Sequence, residues 1–442
     1  MEQEAGSTHR SDIGLADKNE LTMKLILITD RYAPEARAAA YQFRGLAEGF
    51  ARRGHDVSVL TRYPTQYVPA DDRRVLPAVE TVNGVEIVRV AGWSGSSHPV
   101  LRGLDQVGVG LRIAWRLLRS RSPDAVLVSS PPLPLTLAAV LNKKLRGVPY
   151  VIHLHDLYPQ TAVELGLLRN RCVIGVMQRM ARAAYLNSGR IVAAAPATVD
   201  FLKGYPGLDE RHVTCVDNFV DLNHCQPTGQ GAAFREGLRM GNEFLILYAG
   251  LMGHAQDLNV IVECARRCGH RPDWRFVLAG DGARSEEVRT AASKLPNVQF
   301  LDCLPNDRYF VALQACDVAL VTLKKEVQVP AVPGKVATIM ASGRPFIAAV
   351  PEGNDTRRIA SRSEGGFAIN AGNPSELLEA LDLLYRRPEL RNEMGAAGRR
   401  FAQRHFSLEG ALVEFERELR VVAERSHPTL GRDVARIIGP GL

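Results

Sequence analysis

Short apolar runs, each closed by a turn and followed by a stretch with helical spacing, recur along almost the whole chain. KLILIT (24–29), DVSVLT (56–61), DAVLVSS (124–130), PYVIHLHD (149–156) and RIVAAA (190–195) mark the first half. FLILYAG (244–250), RFVLAGDG (275–282), VALVTL (318–323) and FIAAV (346–350) mark the second. Runs this short and apolar on both faces suit strands covered on both sides in a parallel sheet, and parallel strands need a crossover helix between them. The pattern therefore predicts an α/β fold of doubly wound parallel sheets. A chain of 442 residues exceeds one ordinary core and fits two such domains. The periodicity dissolves into polar and small residues between Asp221 and Gly241, where a boundary is expected. The expected division is an extension over 1–22, a first domain over 23–222, a linker over 223–241, a second domain over 242–405, and a C-terminal helix and tail over 406–442. Among the helices, one is expected from Tyr41 to Arg53 and one from Gly103 to Arg121, whereas 71–100 offers only the short strand EIVRV.

Charge and composition narrow the partners. Aromatic residues make up 6% of the chain, too few for a platform of stacked bases, so no nucleic-acid partner is expected. Residues 89–190 hold 14 basic against 4 acidic side chains, which points to an anionic partner such as a membrane surface or a phosphorylated acceptor. Within that region Leu104, Val107, Leu111, Trp115 and Leu118 fall on one side of the Gly103–Arg121 helix, with Arg112, Arg116 and Arg119 on another. The expectation is that the apolar side packs on the sheet; the alternative is a basic amphipathic helix resting on anionic lipid. Seven irregularly spaced cysteines make no disulfide framework, and Cys264 and Cys268, four apart on a helix, are expected in the core rather than on a metal. Residues 1–22 lack the apolar core of a signal peptide, and Pro131, Pro132 and Pro134 break the most apolar run, so a cytoplasmic protein is expected.

The candidate chemistry lies at strand ends and at one helix start. After Pro330, Pro333 and Gly334 a helix opens with Lys335 in its first turn: a close backbone, free N–H groups and one cation make a phosphate seat. The strand after that helix runs into PEGND, with a helix cap expected at Asn354 or Asp355. In the first domain, His153-Leu-His155-Asp156 places titratable groups at a strand terminus, where a ligand crevice would lie. In the second, AGLMGHAQDL offers Gly250, Gly253, His254 and Gln256, and Gly280-Asp281-Gly282 is another loop made for close backbone approach. The first domain's opening loop, DRYAPEARAAA, lacks G-x-G-x-x-G, which disfavours a dinucleotide oxidoreductase.

At these positions the chain resembles the retaining nucleotide-sugar glycosyltransferases of family 4, with GT-B architecture, and is most similar to bacterial colanic-acid and O-antigen type transferases. The resemblance runs from Met23 to about Phe415. YAPE (32–35), RGHDVSVLT (53–61), HDLYPQTAVELGLL (155–168), NFVD (218–221), AGLMGHAQDL, LAGDG and VPGKVATIMASGRPFIA followed by PEGND carry it. It implies two facing Rossmann-like domains with an interdomain cleft, the first binding acceptor and the second binding a UDP- or GDP-linked donor. The resemblance further implies a hexosyl- or N-acetylhexosaminyl-transferase in cell-surface polysaccharide biosynthesis, acting on a saccharide or lipid-linked saccharide, peripheral at the inner face of the plasma membrane.

By the same resemblance, His155, Asp156 and Lys335 are catalytic. Gly250, Gly253, His254, Gln256, Gly280, Asp281, Cys303, Leu304, Pro333, Gly334, Thr338, Glu352, Gly353 and Asn354 bind donor. Arg37, Arg112, Arg116 and Arg119 belong to the acceptor or membrane face. No cofactor is implied, and no metal: the chain contains no Asp-x-Asp, and Lys335 with its helix would take the role of Mg²⁺. Departures from the family pattern stand at Pro330 and Thr338, where many members have a Glu pair, and at Leu251 and Gln256, in place of Arg and Lys. In the opening loop, Arg37 and three alanines replace the common glycines. A catalytically silent partner subunit or a nucleotide-sugar epimerase of the same architecture remain as alternatives.

Overall fold

In the computed structural model, residues 22–35, 37–64, 76–93, 99–226, 228–328 and 332–426 are described. The extension expected before Met23 lies outside them apart from Thr22, as do Pro330 and the tail from 427.

The described residues form two sheets. The first contains β1 (Lys24–Ile28), β2 (Asp56–Arg62), β3 (Val79–Val82), β4 (Val85–Val90), β5 (Ala125–Ser130), β6 (Tyr150–Leu154), β7 (Arg190–Ala193) and β8 (Val213–Cys215), in the spatial order β3-β4-β2-β1-β5-β6-β7-β8. Every pairing is parallel except β3 with β4. The second contains β9 (Phe244–Ala249), β10 (Trp274–Ala279), β11 (Val298–Leu301), β12 (Val318–Thr322), β13 (Phe346–Val350) and β14 (Gly366–Asn370), ordered β11-β10-β9-β12-β13-β14 and wholly parallel. β1, β5, β6, β9, β12 and β13 are almost entirely buried, as their apolar runs require. In each sheet the strand order reverses beside its first strand, between β1 and β5 and between β9 and β12. Those two points open crevices at the carboxyl ends of the strands.

Four features depart from the sequence expectations. β3 forms a hairpin with β4 through Asn83-Gly84, both at positive φ (50° and 79°), the two-residue turn that matches strand twist. The expected linker holds a helix, Gly231–Gly237, fastened to the second domain because the Arg235 side chain donates to the Ala315 carbonyl at 2.9 Å and pairs with Asp317 at 2.7 Å.

The third concerns the C-terminus. Helix Pro388–His405 ends the second domain, and helix Leu408–Ser426 returns to the first. There Leu408, Leu412, Phe415 and Leu419 share a core with Phe43, Leu46 and Phe50 of helix Ala38–Arg52. The two chain crossings lie side by side: Val220 N–H donates to Phe406 O at 2.9 Å, and Leu408 N–H to Val220 O at 3.0 Å.

The fourth is the basic helix, which spans Pro99–Arg119. Val109, Ile113 and Leu117 pack in the core, while Leu104, Val107, Leu111 and Trp115, the side expected to face the sheet, stay exposed. Both sides are apolar, so periodicity alone did not decide which one the sheet takes.

Candidate active site

The residues that follow β9, β10 and β12 meet at the second crevice, and their contacts explain the glycines. Gly250 and Gly280 have φ of 135° and 148°, conformations that disfavour side chains. A Cβ on Gly280 would stand 1.9 Å from the Gly250 carbonyl oxygen, so these two loops pack backbone against backbone. A Cβ on Gly250 would lie 3.1 Å from Lys335 Nζ. The bare backbone thus leaves room for the lysine at the start of helix Lys335–Ala341, which carries the chain from β12 towards β13.

Lys335 Nζ lies 3.7 Å from the centroid of the Tyr248 ring, buried and without a hydrogen-bond partner among the described residues. Burial pulls its pKa from 10.5 down to about 7. A buried ammonium left unpaired is costly, and an anion delivered to it would be held strongly.

This amine borders a cavity of about 380 Å³ between the domains. From the second domain the cavity is lined by Gly250, Gln256, Gly280, Asp281, Cys303, Leu304, Pro333, Gly334 and Thr338, all expected at the donor site, and by Lys335, expected to be catalytic. Leu251, one of the departures from the family pattern, lines it too. Gln256 also locks its own loop, accepting from Gly253 N–H at 3.0 Å, and Asp281 accepts from Gly282 N–H at 2.7 Å.

The first domain contributes Arg31, Arg37, Tyr41 and Gln42 from the β1 loop and the following helix. Arg37 therefore stands in the cleft, apart from Arg112, Arg116 and Arg119 on the outer helix. Gln42 donates to Asn218 at 3.0 Å, and Asn218 in turn donates to the Val332 carbonyl at 2.9 Å, joining the domains beside Gly334. Arg31, Tyr41, Gln42, Tyr309 and Phe310 were not anticipated. Tyr41, Gln42, Tyr309 and Phe310 read as ordinary amphipathic-helix positions, and only the docking of two domains brings them together.

Several expected residues lie away from the cavity. His254 is exposed, as are Glu352 and Gly353. Asn354 is buried as the cap of helix Asp355–Ser363, accepting from Thr356 N–H at 3.0 Å. The neighbouring Asp355 accepts from Ala197 N–H of the first domain at 2.9 Å, so PEGND fastens the two domains together. Cys264 and Cys268 are buried core residues, and all seven cysteines are free.

At the end of β6, His155 packs on His153 with ring centroids 4.0 Å apart and lies 6.2 Å from Phe43. Burial holds the imidazole of His155 at a pKa of about 4, neutral at pH 7, and raises that of the Asp156 carboxyl. Neither residue lines the Lys335 cavity. They form a second cluster, with His155 beside Phe43 of the helix that carries Gln42.

Two facing Rossmann-like domains with a buried cation in the crevice between them constitute a GT-B architecture, the scaffold of nucleotide-sugar transferases. The model of the glycosyl transferase 4-like domain matches residues 37–218, and that of glycosyl transferases group 1 matches residues 243–387. The chain belongs to the glycosyltransferases built from these two domains. It is 22% identical over 412 residues to WcaI of Escherichia coli, named as a colanic acid biosynthesis glycosyl transferase, covering 90% of this chain and 100% of that one. It is 24% identical over 294 residues to the glycosyltransferase WbjE of Pseudomonas aeruginosa, covering 65% and 73%. Among solved structures, sucrose-phosphate synthase from Thermosynechococcus elongatus superposes with a TM-score of 0.70 at 15% identity, over 90% of this chain and 98% of that one. HepE of Anabaena, crystallised with UDP and glucose, superposes at 0.68 and 14% identity, over 90% and 99%. At such identities these structures attest the fold. No helix among the described residues is long and apolar enough to cross a membrane.

Proposed function

We propose that this glycosyltransferase moves a sugar, with retention, from a UDP- or GDP-linked donor to a saccharide or lipid-linked saccharide in cell-surface polysaccharide biosynthesis, at the inner face of the plasma membrane. The observation that carries the reading is Lys335: a buried ammonium without a hydrogen-bond partner among the described residues, at the cavity where the strand order reverses. HepE, of the same fold, was crystallised with UDP-glucose, and WcaI is named for colanic acid biosynthesis; both support a nucleotide-sugar donor and a polysaccharide product.

In this mechanism the donor's diphosphate enters beside Gly250 and Gly334, and the base lies along Cys303 and Leu304. The anion restores the proton that burial has loosened on Lys335. As the bond to the anomeric carbon breaks, negative charge grows on the diphosphate, and the ammonium stabilises that charge most in the transition state. Arg37 reaches the same cavity from the first domain and supplies a second cation. No resident metal takes part in this scheme; neutralisation falls to Lys335 and Arg37. His155, held neutral, and Asp156 lie on the acceptor side, where a neutral imidazole can accept a hydrogen bond from a sugar hydroxyl.

Lys335→Ala should lower turnover about 10²-fold or more. Turnover is followed by release of UDP or GDP, after donors have been ranked by the thermal stabilisation they confer. Wild-type turnover in that variant would refute the assignment.

A further inference from the structure

Helix Pro99–Arg119 presents two apolar sides, and the body of the first domain covers only one. Leu101, Leu104, Val107, Leu111 and Trp115 are 51%, 52%, 45%, 67% and 55% exposed. Spaced three or four residues apart, they form one stripe along the helix. Leu145 on the adjacent helix Leu133–Arg146 is exposed as well. Single exposed leucines are ordinary; a row this long on one helix marks a surface that meets something apolar.

The charges beside the stripe are of one sign. Arg102, Arg116, Arg119 and Arg121 are exposed, the Arg119 guanidinium lies 3.8 Å from the centroid of the Trp115 ring, and Arg112 lies 5.9 Å from that of Trp93. The acidic residues of the same region are engaged elsewhere. Asp105 pairs with Arg62 at 2.8 Å, Asp124 accepts from Lys24 N–H at 2.7 Å, and Glu164 accepts from Gln328 N–H across the cleft at 3.0 Å. Asp156 sits at the end of β6 near Tyr158.

We infer that this face docks on an anionic lipid bilayer. The stripe enters the boundary between headgroups and acyl chains, Trp115 sits at headgroup depth, and the arginines meet lipid phosphates. Leu157 and Tyr158 of the HDLYP segment share a core cluster with Val109, Ile113 and Leu117 of this helix. Docking therefore brings the β6 end of the cleft to the bilayer. That last consequence rests on the lipid-linked acceptor proposed above; the docking itself does not.

The test uses the full chain and vesicles of phosphatidylcholine with or without phosphatidylglycerol, and needs no sugar donor, so failure of the transferase reading leaves its result intact. Wild type should co-sediment with the anionic vesicles, release at high salt, and show a blue shift of Trp115 emission. The double substitution Leu104→Glu with Leu111→Glu, at exposed positions that leave the fold intact by circular dichroism, should lower the bound fraction about tenfold or more. Three results would overturn the inference: no binding of wild type to anionic vesicles, undiminished binding by the double variant, or binding only after removal of residues 1–21, which would make that segment the occupant. A wild-type dimer that the double substitution dissociates, with no vesicle binding by either protein, would assign the stripe to a second copy instead.

Discussion

The two halves of the cleft are made of different materials. The second domain offers mostly backbone: loops after β9 and β10 pressed together through Gly250 and Gly280, the Cys303–Leu304 segment, and Gly334 ahead of Lys335. The first domain offers long side chains, Arg31, Arg37, Tyr41 and Gln42, and His155 and Asp156 do not line this cavity. Backbone packed at van der Waals limits cannot rearrange, so the Lys335 seat is preorganised before any ligand arrives. The facing wall is held by side-chain hydrogen bonds instead: Gln42 donates to Asn218 at 3.0 Å, and the Tyr41 hydroxyl accepts from Asp221 N–H at 3.1 Å.

The sharpest way to break this contrast is Gly280→Ala. A methyl group there would collide with the Gly250 carbonyl, and the loops have no side chain to move aside, so a loss of roughly 3 kcal/mol or more is expected. Thermal unfolding would show it, while Gln42→Ala on the facing wall should shift stability far less. Equal shifts would remove the distinction between a wall of packed backbone and a wall of hydrogen-bonded side chains. Next in size is the fall in turnover from Lys335→Ala described above.

His155→Ala should reduce transfer by less than the Lys335 change and leave nucleotide affinity near wild type, read by comparing steady-state turnover with calorimetry. Weakened nucleotide binding would place His155 on the donor side after all.

A further effect concerns stability against pH. Because burial lowers the Lys335 pKa to about 7, the folded state binds fewer protons than the unfolded state between about pH 7 and 10.5. The cost of the buried ammonium is present in full below that window and vanishes above it. Lys335→Met should therefore melt higher than wild type at pH 7, with the two converging as pH rises towards 10. A variant less stable than wild type at pH 7 would mean the ammonium is already paired.

Much of this molecule was legible in its sequence, because buried parallel strands announce themselves as apolar runs and crossover helices by their spacing. Gly250 and Gly280 could be placed together since each follows a strand end, and the strand ends of one sheet share an edge; Lys335 was read from its helix start, and Cys303 and Leu304 came only from the family resemblance. What stayed hidden depends on contacts between distant segments. Leu104 and Leu111 look like core positions until the sheet is seen to take the opposite side of their helix. Phe415 gives no sign that its helix crosses back to the first domain. His155 and Asp156 stand at the end of β6 as their sequence position implies, and only the folded chain shows His155 against Phe43 of the helix that carries Gln42. The glycines were read as openings for a ligand; in the fold Gly280 also meets the Gly250 carbonyl, and Gly250 leaves room for Lys335.

The most direct test of the central claim is proton uptake on nucleotide binding. At pH 8 the free amine of Lys335 is mostly neutral, and a bound diphosphate should recharge it. Calorimetric titration with UDP and GDP in buffers of differing ionisation enthalpy should show close to one proton taken up per nucleotide bound by wild type, and none by Lys335→Met. Tight nucleotide binding with no proton uptake, or the same uptake in both proteins, would contradict the account.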